Sequence, residues 1–184
     1  MKTKKPQSGF TLLEMLIVLV IISVIASLSL PNAAGYVDNN RMSAAVMDFA
    51  VAIQTARTEA VSRNMAVSIC TSNDAADGCR STAQWEKGWL LFVDADADGV
   101  VDSGEEVIQY HAALADQMSI RGTSEFDAPV TFFASGRTSI DTTQTLIFCD
   151  ARGFSEDSKG LVVSILGRSS RVPAASTGAD ACDL

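Results

Sequence analysis

One carboxylate, Glu14, stands inside an almost unbroken apolar run, FTLLEMLIVLVIISVIASLSL, that extends from Phe10 to Leu30. As a helix these 21 residues span about 31 Å, enough for one bilayer crossing. A bare carboxylate in hydrocarbon costs roughly 2.5–3.5 kcal/mol or more, so such a group is normally paired or functional. The run comes after a polar, basic segment, MKTKKPQSG, that ends at Gly9. The nearby cation that processing would create for Glu14 is a free amino terminus at Phe10. A secretory signal peptide has a shorter apolar core with its small-residue cleavage site after it. Here the small residue, Gly9, comes before the run. Lys2, Lys4 and Lys5 precede the segment, whereas its other flank carries Asp38 and Arg41. The positive-inside rule then predicts a cytoplasmic N-terminus and an external C-terminal domain.

The chain has 184 residues, 14 Lys and Arg, 22 Asp and Glu, and a formal charge of −8. Without Lys2, Lys4 and Lys5 the cations fall to 11 and the charge to −11. The remainder of the chain, beyond the apolar run, suits one domain of roughly 150 residues. Its acidity disfavours general binding of phosphate backbones.

Pro31 removes an N–H, so a kink or local melt is expected there. Beyond it Met42, Val46, Phe49, Ile53, Ala56 and Ala60 recur at alternating spacings of four and three, with Arg41, Asp48, Gln54, Arg57 and Glu59 off the stripe. That is an amphipathic helix, ending near Asn64, whose apolar face packs on a sheet. The period then changes to short strands at Ala66–Cys70, Gly88–Val93, Val107–His111, Ser119–Arg121, Val130–Ala134, Thr145–Cys149 and Leu161–Leu166. Several alternate poorly. There is no internal repeat, and only the tail from Ala174 looks irregular. The predicted fold is α+β: a leader over 1–9, an apolar helix over 10–30, its amphipathic continuation over 31–64, and a β-rich antiparallel domain over 65–184.

Four cysteines, Cys70, Cys79, Cys149 and Cys182, all lie in that last segment. Outside the cytoplasm disulfides are favoured, and four cysteines allow three connectivities. Cys70 and Cys79 flank a polar loop, and a Cys149–Cys182 bond would staple the tail to a strand. Those pairings are favoured over the crossed ones. Zinc is a poor alternative because no C-x2-C spacing occurs and His111 is the only histidine. In DADADGVVDSGEE, Asp94, Asp96, Asp98, Gly99, Asp102 and Glu105 fit D-x-[DN]-x-[DN]-G-x5-E. The ligands of a calcium loop would be Asp94, Asp96, Asp98, the Val100 carbonyl, Asp102 and Glu105. The strand-like flanks differ from an EF-hand, and a solvated Asp-rich turn is the other reading.

The stretch SGFTLLEMLIVLVIISVIASLSLPN resembles the prepilin N-terminus of type IV pilins and type II secretion pseudopilins. The resemblance implies cleavage between Gly9 and Phe10 by a prepilin peptidase and methylation of the Phe10 amine. It further implies pairing of Glu14 with the Phe10 amine of a neighbouring subunit, and a proline, Pro31, closing the segment. Trp85, Gly88 and Trp89, the acidic loop, and the later blocks VTFFASGRT, TLIFCDARG and LVVSILGRSSR resemble the GspH/FimT group of minor pilins. The paired cysteines look more like the branch related to FimU. Implied partners are other major and minor pilins or pseudopilins, the peptidase and an inner-membrane assembly platform. The implied location is the bacterial inner membrane, single-pass with a periplasmic domain, and then the filament. One branch of the group captures DNA through a basic C-terminal motif. Its counterpart here is Arg168 and Arg171, spaced one residue wider and without an interleaved aromatic. DNA is therefore the lesser reading. No G-x-S-x-G, H-E-x-x-H or phosphate loop occurs, so an enzyme is not expected.

Overall fold

The computed structural model describes residues 9–115, 117–123, 126, 129–177 and 182, with the backbone alone for 28–34. Helix α1, Leu12–Arg63, opens where the Thr11 hydroxyl accepts the Glu14 N–H at 3.2 Å. It passes Pro31 with no break in the helix. The expected melt is absent: proline removes a single ladder bond, and the turns on either side stay helical. The helix stops at Asn64, whose φ of 55° is left-handed, and the Met65 N–H returns to the Ala60 carbonyl at 3.2 Å. The chain divides at Asp38/Asn39 into two compact units.

In the second unit the strands form two four-stranded antiparallel sheets. The first contains β1 (Val67–Thr71), β2 (Trp89–Val93), β3 (Val107–His111) and β5 (Val130–Phe132), in the order β3-β2-β1-β5. The second contains β4 (Ser119–Gly122), β6 (Gln144–Cys149), β7 (Lys159–Val163) and β8 (Ser169–Pro173), in the order β4-β6-β7-β8. Strand β8 was not anticipated. SSRVP holds one strong strand former and ends in proline, which is tolerated because β8 is an edge strand. The predicted Leu161–Leu166 strand stops at Val163 because Ser164–Arg168 turns the chain back to pair Val163 with Ser169.

The helical stripe lies where its spacing puts it. Met42, Val46, Phe49, Ile53, Ala56 and Ala60 are all buried and share one core with Val67, Ile69, Trp89 and Phe132 of the first sheet and Leu146, Phe148 and Leu161 of the second. Phe49 is the joint, with its ring edge-on to Trp85, Trp89 and Phe148 at centroid distances of 5.2, 4.9 and 6.1 Å. Gly88 has φ +104°, and a Cβ there would lie 2.4 Å from the His111 carbonyl. Glycine is therefore required between the two tryptophans. Strands β1 and β2 are buried at every position. Their poor alternation has this cause: the inward face meets the helix, and the outward face carries a second small core of Cys70, Leu90 and Phe92 under Cys79 and Val101.

Candidate functional site

The N-terminal unit is a helix with its apolar side chains outward. Phe10 is 75% exposed, and Leu12, Leu13, Leu16, Ile17, Val20 and Ile21 all lie open. The hydroxyls of Ser23 and Ser27 donate to the Val20 and Val24 carbonyls at 2.8 Å, so they add no unpaired polar group to that surface. Glu14 is the only charged side chain from Leu12 to Ser27. Among the described residues no helix is long and apolar enough to cross a membrane. Side chains of the Phe10–Leu30 run are described only as far as Ser27, and that of Pro31 lies outside them.

In the second unit Cys70 joins Cys79 with Cα atoms 5.6 Å apart, and Cys149 joins Cys182 at 6.2 Å. The first bond seals the loop over the outer face of the first sheet, beside Val101 of the acidic loop. The second ties the tail to the end of β6, packed with Ile147, Ala174 and Phe154.

The acidic loop is organised from Asp94, which is fully buried. Its carboxylate accepts from the Ser68 hydroxyl at 2.5 Å and from the Gly99 and Asp98 amides at 3.1 Å. Ser68 also meets the Thr131 hydroxyl at 2.7 Å, so a polar trio crosses β1, β5 and the loop. Glu105 closes the other end by accepting from the Ala95 amide at 2.8 Å and the Asp102 amide at 3.0 Å. Oxygens of Asp94, Asp96 and Asp98 lie within 4.8 Å of one another, a hard-donor set of the kind calcium takes. Backbone donors already use the carboxylates of Asp94, Asp98 and Glu105, and so order the loop through its own hydrogen bonds. The charges remain in conflict: Asp98, then burial, then Asp96 and the other loop acids push the Asp102 carboxyl above its ordinary value.

Arg168 and Arg171 are both exposed, but they do not converge. Arg171 lines a hollow with Ser43, Val46, Glu156 and Lys159, whereas Arg168 lines another with Val162, Ser164 and Ser170. Two arrangements were not legible in the sequence. One is the Ser68–Asp94–Thr131 trio. The other is a clamp around Arg152, which donates to Asp150, to Asp157 at 2.8 Å and to Asn39 of α1 at 2.6 Å. The Arg152 side-chain hydrogen bonds to Asp150, helped by the Arg152 amide and by the guanidinium charge and opposed by burial, hold the Asp150 carboxyl below its ordinary range.

Two family signatures match. That of Type II transport protein GspH covers residues 45–167, and the prokaryotic N-terminal methylation motif covers residues 4–30. The chain belongs to the GspH family. Pilin-like protein PilA1 of Thermus thermophilus is 32% identical over 145 residues, covering 76% of this chain and 84% of that one. The type IV minor pilin FimU of Pseudomonas aeruginosa PAO1 shares the fold in two crystal forms. They have TM-scores of 0.62 and 0.58 at 23% identity, covering 80% and 77% of this chain and 99% of each FimU chain. The GspH-family chain is thus a minor pilin or pseudopilin, a membrane-anchored structural subunit of a type IV pilus or type II secretion filament, built in beside other pilins.

Proposed function

We propose that this subunit helps initiate or cap its filament after a prepilin peptidase cuts between Gly9 and Phe10 and the Phe10 amine is methylated. The precursor waits as a single-span protein of the bacterial inner membrane, with residues 1–9 as leader and 10–30 in lipid. Its amphipathic 31–64 segment and β-rich 65–184 domain lie outside the cytoplasm. At the assembly platform the apolar helix leaves lipid for the filament core, where Glu14 meets the Phe10 amine of a neighbour. The observation that carries this reading is one ionisable side chain on an otherwise apolar, exposed helical surface. Such a charge is tolerated in low dielectric when it is paired. No catalytic role is proposed. The His111 ring is stacked on Trp89 at 3.9 Å, and every cysteine described is in a disulfide.

The test is twofold. Glu14→Ala should leave membrane insertion intact and impair incorporation into filaments; normal incorporation of this variant refutes the pairing. Gly9→Val should block leader removal, read as intact precursor mass, and a shortened product would place the cut elsewhere.

A further inference from the structure

Helix α1 touches an edge strand of each sheet, β3 of the first and β8 of the second. On the β3 side polar contacts fasten it. Asp48 lies 3.5 Å from the His111 Nε2, and Arg63 donates to Glu106, just before β3, at 2.6 Å. On the β8 side, among the described residues, one hydrogen bond joins helix to strand, from the Gln54 Nε2 to the Ser169 Oγ at 3.1 Å. Two hollows follow one another along this second flank. Met47, Ala50, Val51 and Ser169 line the first; Ser43, Lys159, Arg171 and Pro173 line the second. Met47 and Val51 are 44% and 50% exposed.

Strand β8 has a neighbour on one side only. The Ser164 amide donates to the Arg168 carbonyl at 2.9 Å, and the Ala174 amide to the Ser158 carbonyl at 3.1 Å. Bonded and non-bonded pairs alternate along an antiparallel ladder. Ser169 and Arg171, opposite Val163 and Leu161, are therefore non-bonded pairs that aim N–H and C=O away from β7. Val163 and Leu161 are in the main core, so the Ser169 and Arg171 side chains leave the sheet on the helix side. Open ladder groups thus border the apolar wall of Met47 and Val51. Natural edges of this kind are kept short or blocked. Pro173, which has no N–H, and the turn at Gly167 confine this one to Ser169–Arg171. It suits a short segment and not a spreading sheet.

We propose that this groove takes an extended segment of a different pilin or pseudopilin, added as a strand on β8. The assignment rests on the filament-subunit reading. Main-chain bonds to Ser169 and Arg171 hold the segment, and its alternate side chains specify it. The residue opposite Ser169 is apolar, because it meets Met47 and Val51. The next residue on that face, opposite Arg171, is Asp or Glu. Among the described residues neither Arg171 nor Lys159 has an ion pair, although the chain carries a net charge of −8. Glu156 in the same hollow is a single carboxylate against these cations. A second copy is the poorer occupant, because pairing β8 with β8 brings two Arg171 guanidiniums onto one short ladder.

The experiment uses the full-length protein in the cells that make the filament. A photo-crosslinking phenylalanine analogue replaces Val51, and the crosslinked product is identified and mapped by mass spectrometry. A crosslink is expected to an extended segment of another pilin, beside an acidic residue. Ser169→Pro deletes an outward N–H but no β7–β8 bond, and should lower the crosslink roughly tenfold. Ser169→Ala, which keeps that N–H, should not. Arg171→Glu should lower it by a similar factor. Tryptophan fluorescence verifies that each variant is folded, and Arg171→Glu carries the test should Ser169→Pro misfold. A crosslink to a second copy or to a helical segment overturns the proposal, as does one that survives both Ser169→Pro and Arg171→Glu. The wild type's N-terminal mass and its content in sheared filaments report on the filament reading separately. Absence from filaments sinks that reading and the docking with it, whereas presence without a pilin crosslink sinks the docking alone.

Discussion

Asp94→Ala tests whether the acidic loop is held by its internal hydrogen bonds. Three donors converge on that carboxylate: the Ser68 hydroxyl and the amides of Gly99 and Asp98. After truncation Ser68 keeps Thr131, and the Asp98 amide can reach water because its bond is only partly buried. The Gly99 amide, whose bond is buried, is left without an acceptor. An orphaned buried donor costs about 1–3 kcal/mol, and hydrogen bonds to a charged group contribute about 1.5–3 kcal/mol each. Allowing for partial rescue, the expected loss is roughly 2–4 kcal/mol. For a unit of this size that lowers Tm by about 5–15 °C. The assay is thermal unfolding of the full chain in detergent, followed by fluorescence of the buried Trp85 and Trp89, in chelator and again in millimolar calcium. The loss should be present in chelator. Asp96→Asn, whose side chain is exposed, should change Tm little there. If Asp94→Ala unfolds like the wild type in chelator and loses stability only against the calcium-loaded protein, the cation orders the loop, and the role given to Ser68 is wrong.

Asp102→Asn should raise Tm, more at low salt than at high, because it removes a charge that Asp98 and Asp96 repel. The sign with pH is set by the same repulsion: the folded carboxyl is above its ordinary 3.8, so this penalty grows as pH rises from 3.8 through the raised value, and the variant should flatten that part of the stability profile. Asp150 behaves oppositely. Its folded value lies below 3.8, so its contribution is whole above 3.8 and drains away as pH falls through the lowered value. Arg152→Met should therefore move acid unfolding to higher pH, and an unchanged midpoint would count against the clamp. Loss of Cys70–Cys79, which closes a separation of 9 residues, should cost about 2.5 kcal/mol in urea unfolding. Loss of Cys149–Cys182, across 33, should cost about 3.5 kcal/mol if the tail is otherwise free.

The helix was legible because one physical rule governs it. A face that must be buried repeats at three and four residues, and every member of the Met42–Ala60 stripe is in the core. Strand positions were legible to within a residue or two where β-branched and aromatic residues cluster, as in Val107–His111. Strand β8 was not, because an edge strand with Ser169, Ser170 and Arg171 needs neither alternation nor high propensity. The likeness of two turns, Phe133–Arg137 and Ser164–Arg168, also escaped. It lies in Gly-Arg after three dissimilar residues, and the left-handed conformation of Gly136 and Gly167, not the side chains before them, makes the two turns alike.

The deeper difficulty lay in the two motifs that looked independent. A cysteine-closed loop and an acid-rich loop, read separately, invite a redox or metal interpretation for each. In three dimensions they share one task. Strand β1 has Val67 and Ile69 in the main core and Cys70 beneath Leu90, Phe92 and Val101, with Ser68 bonded to Asp94. A sheet covered by a helix on one face needs a second cover if its other face is apolar. Here that cover has no helix or sheet of its own, so a disulfide and a buried carboxylate supply the order that packing alone leaves incomplete. This accounts for the placement of the buried acid at the first position of the acidic motif. Asp94 lies where β2 ends and anchors the loop to β1, whereas the later acids are at least partly in solvent. Charge that is exposed and self-repelling is thereby kept apart from the buried carboxylate that holds the loop on the sheet.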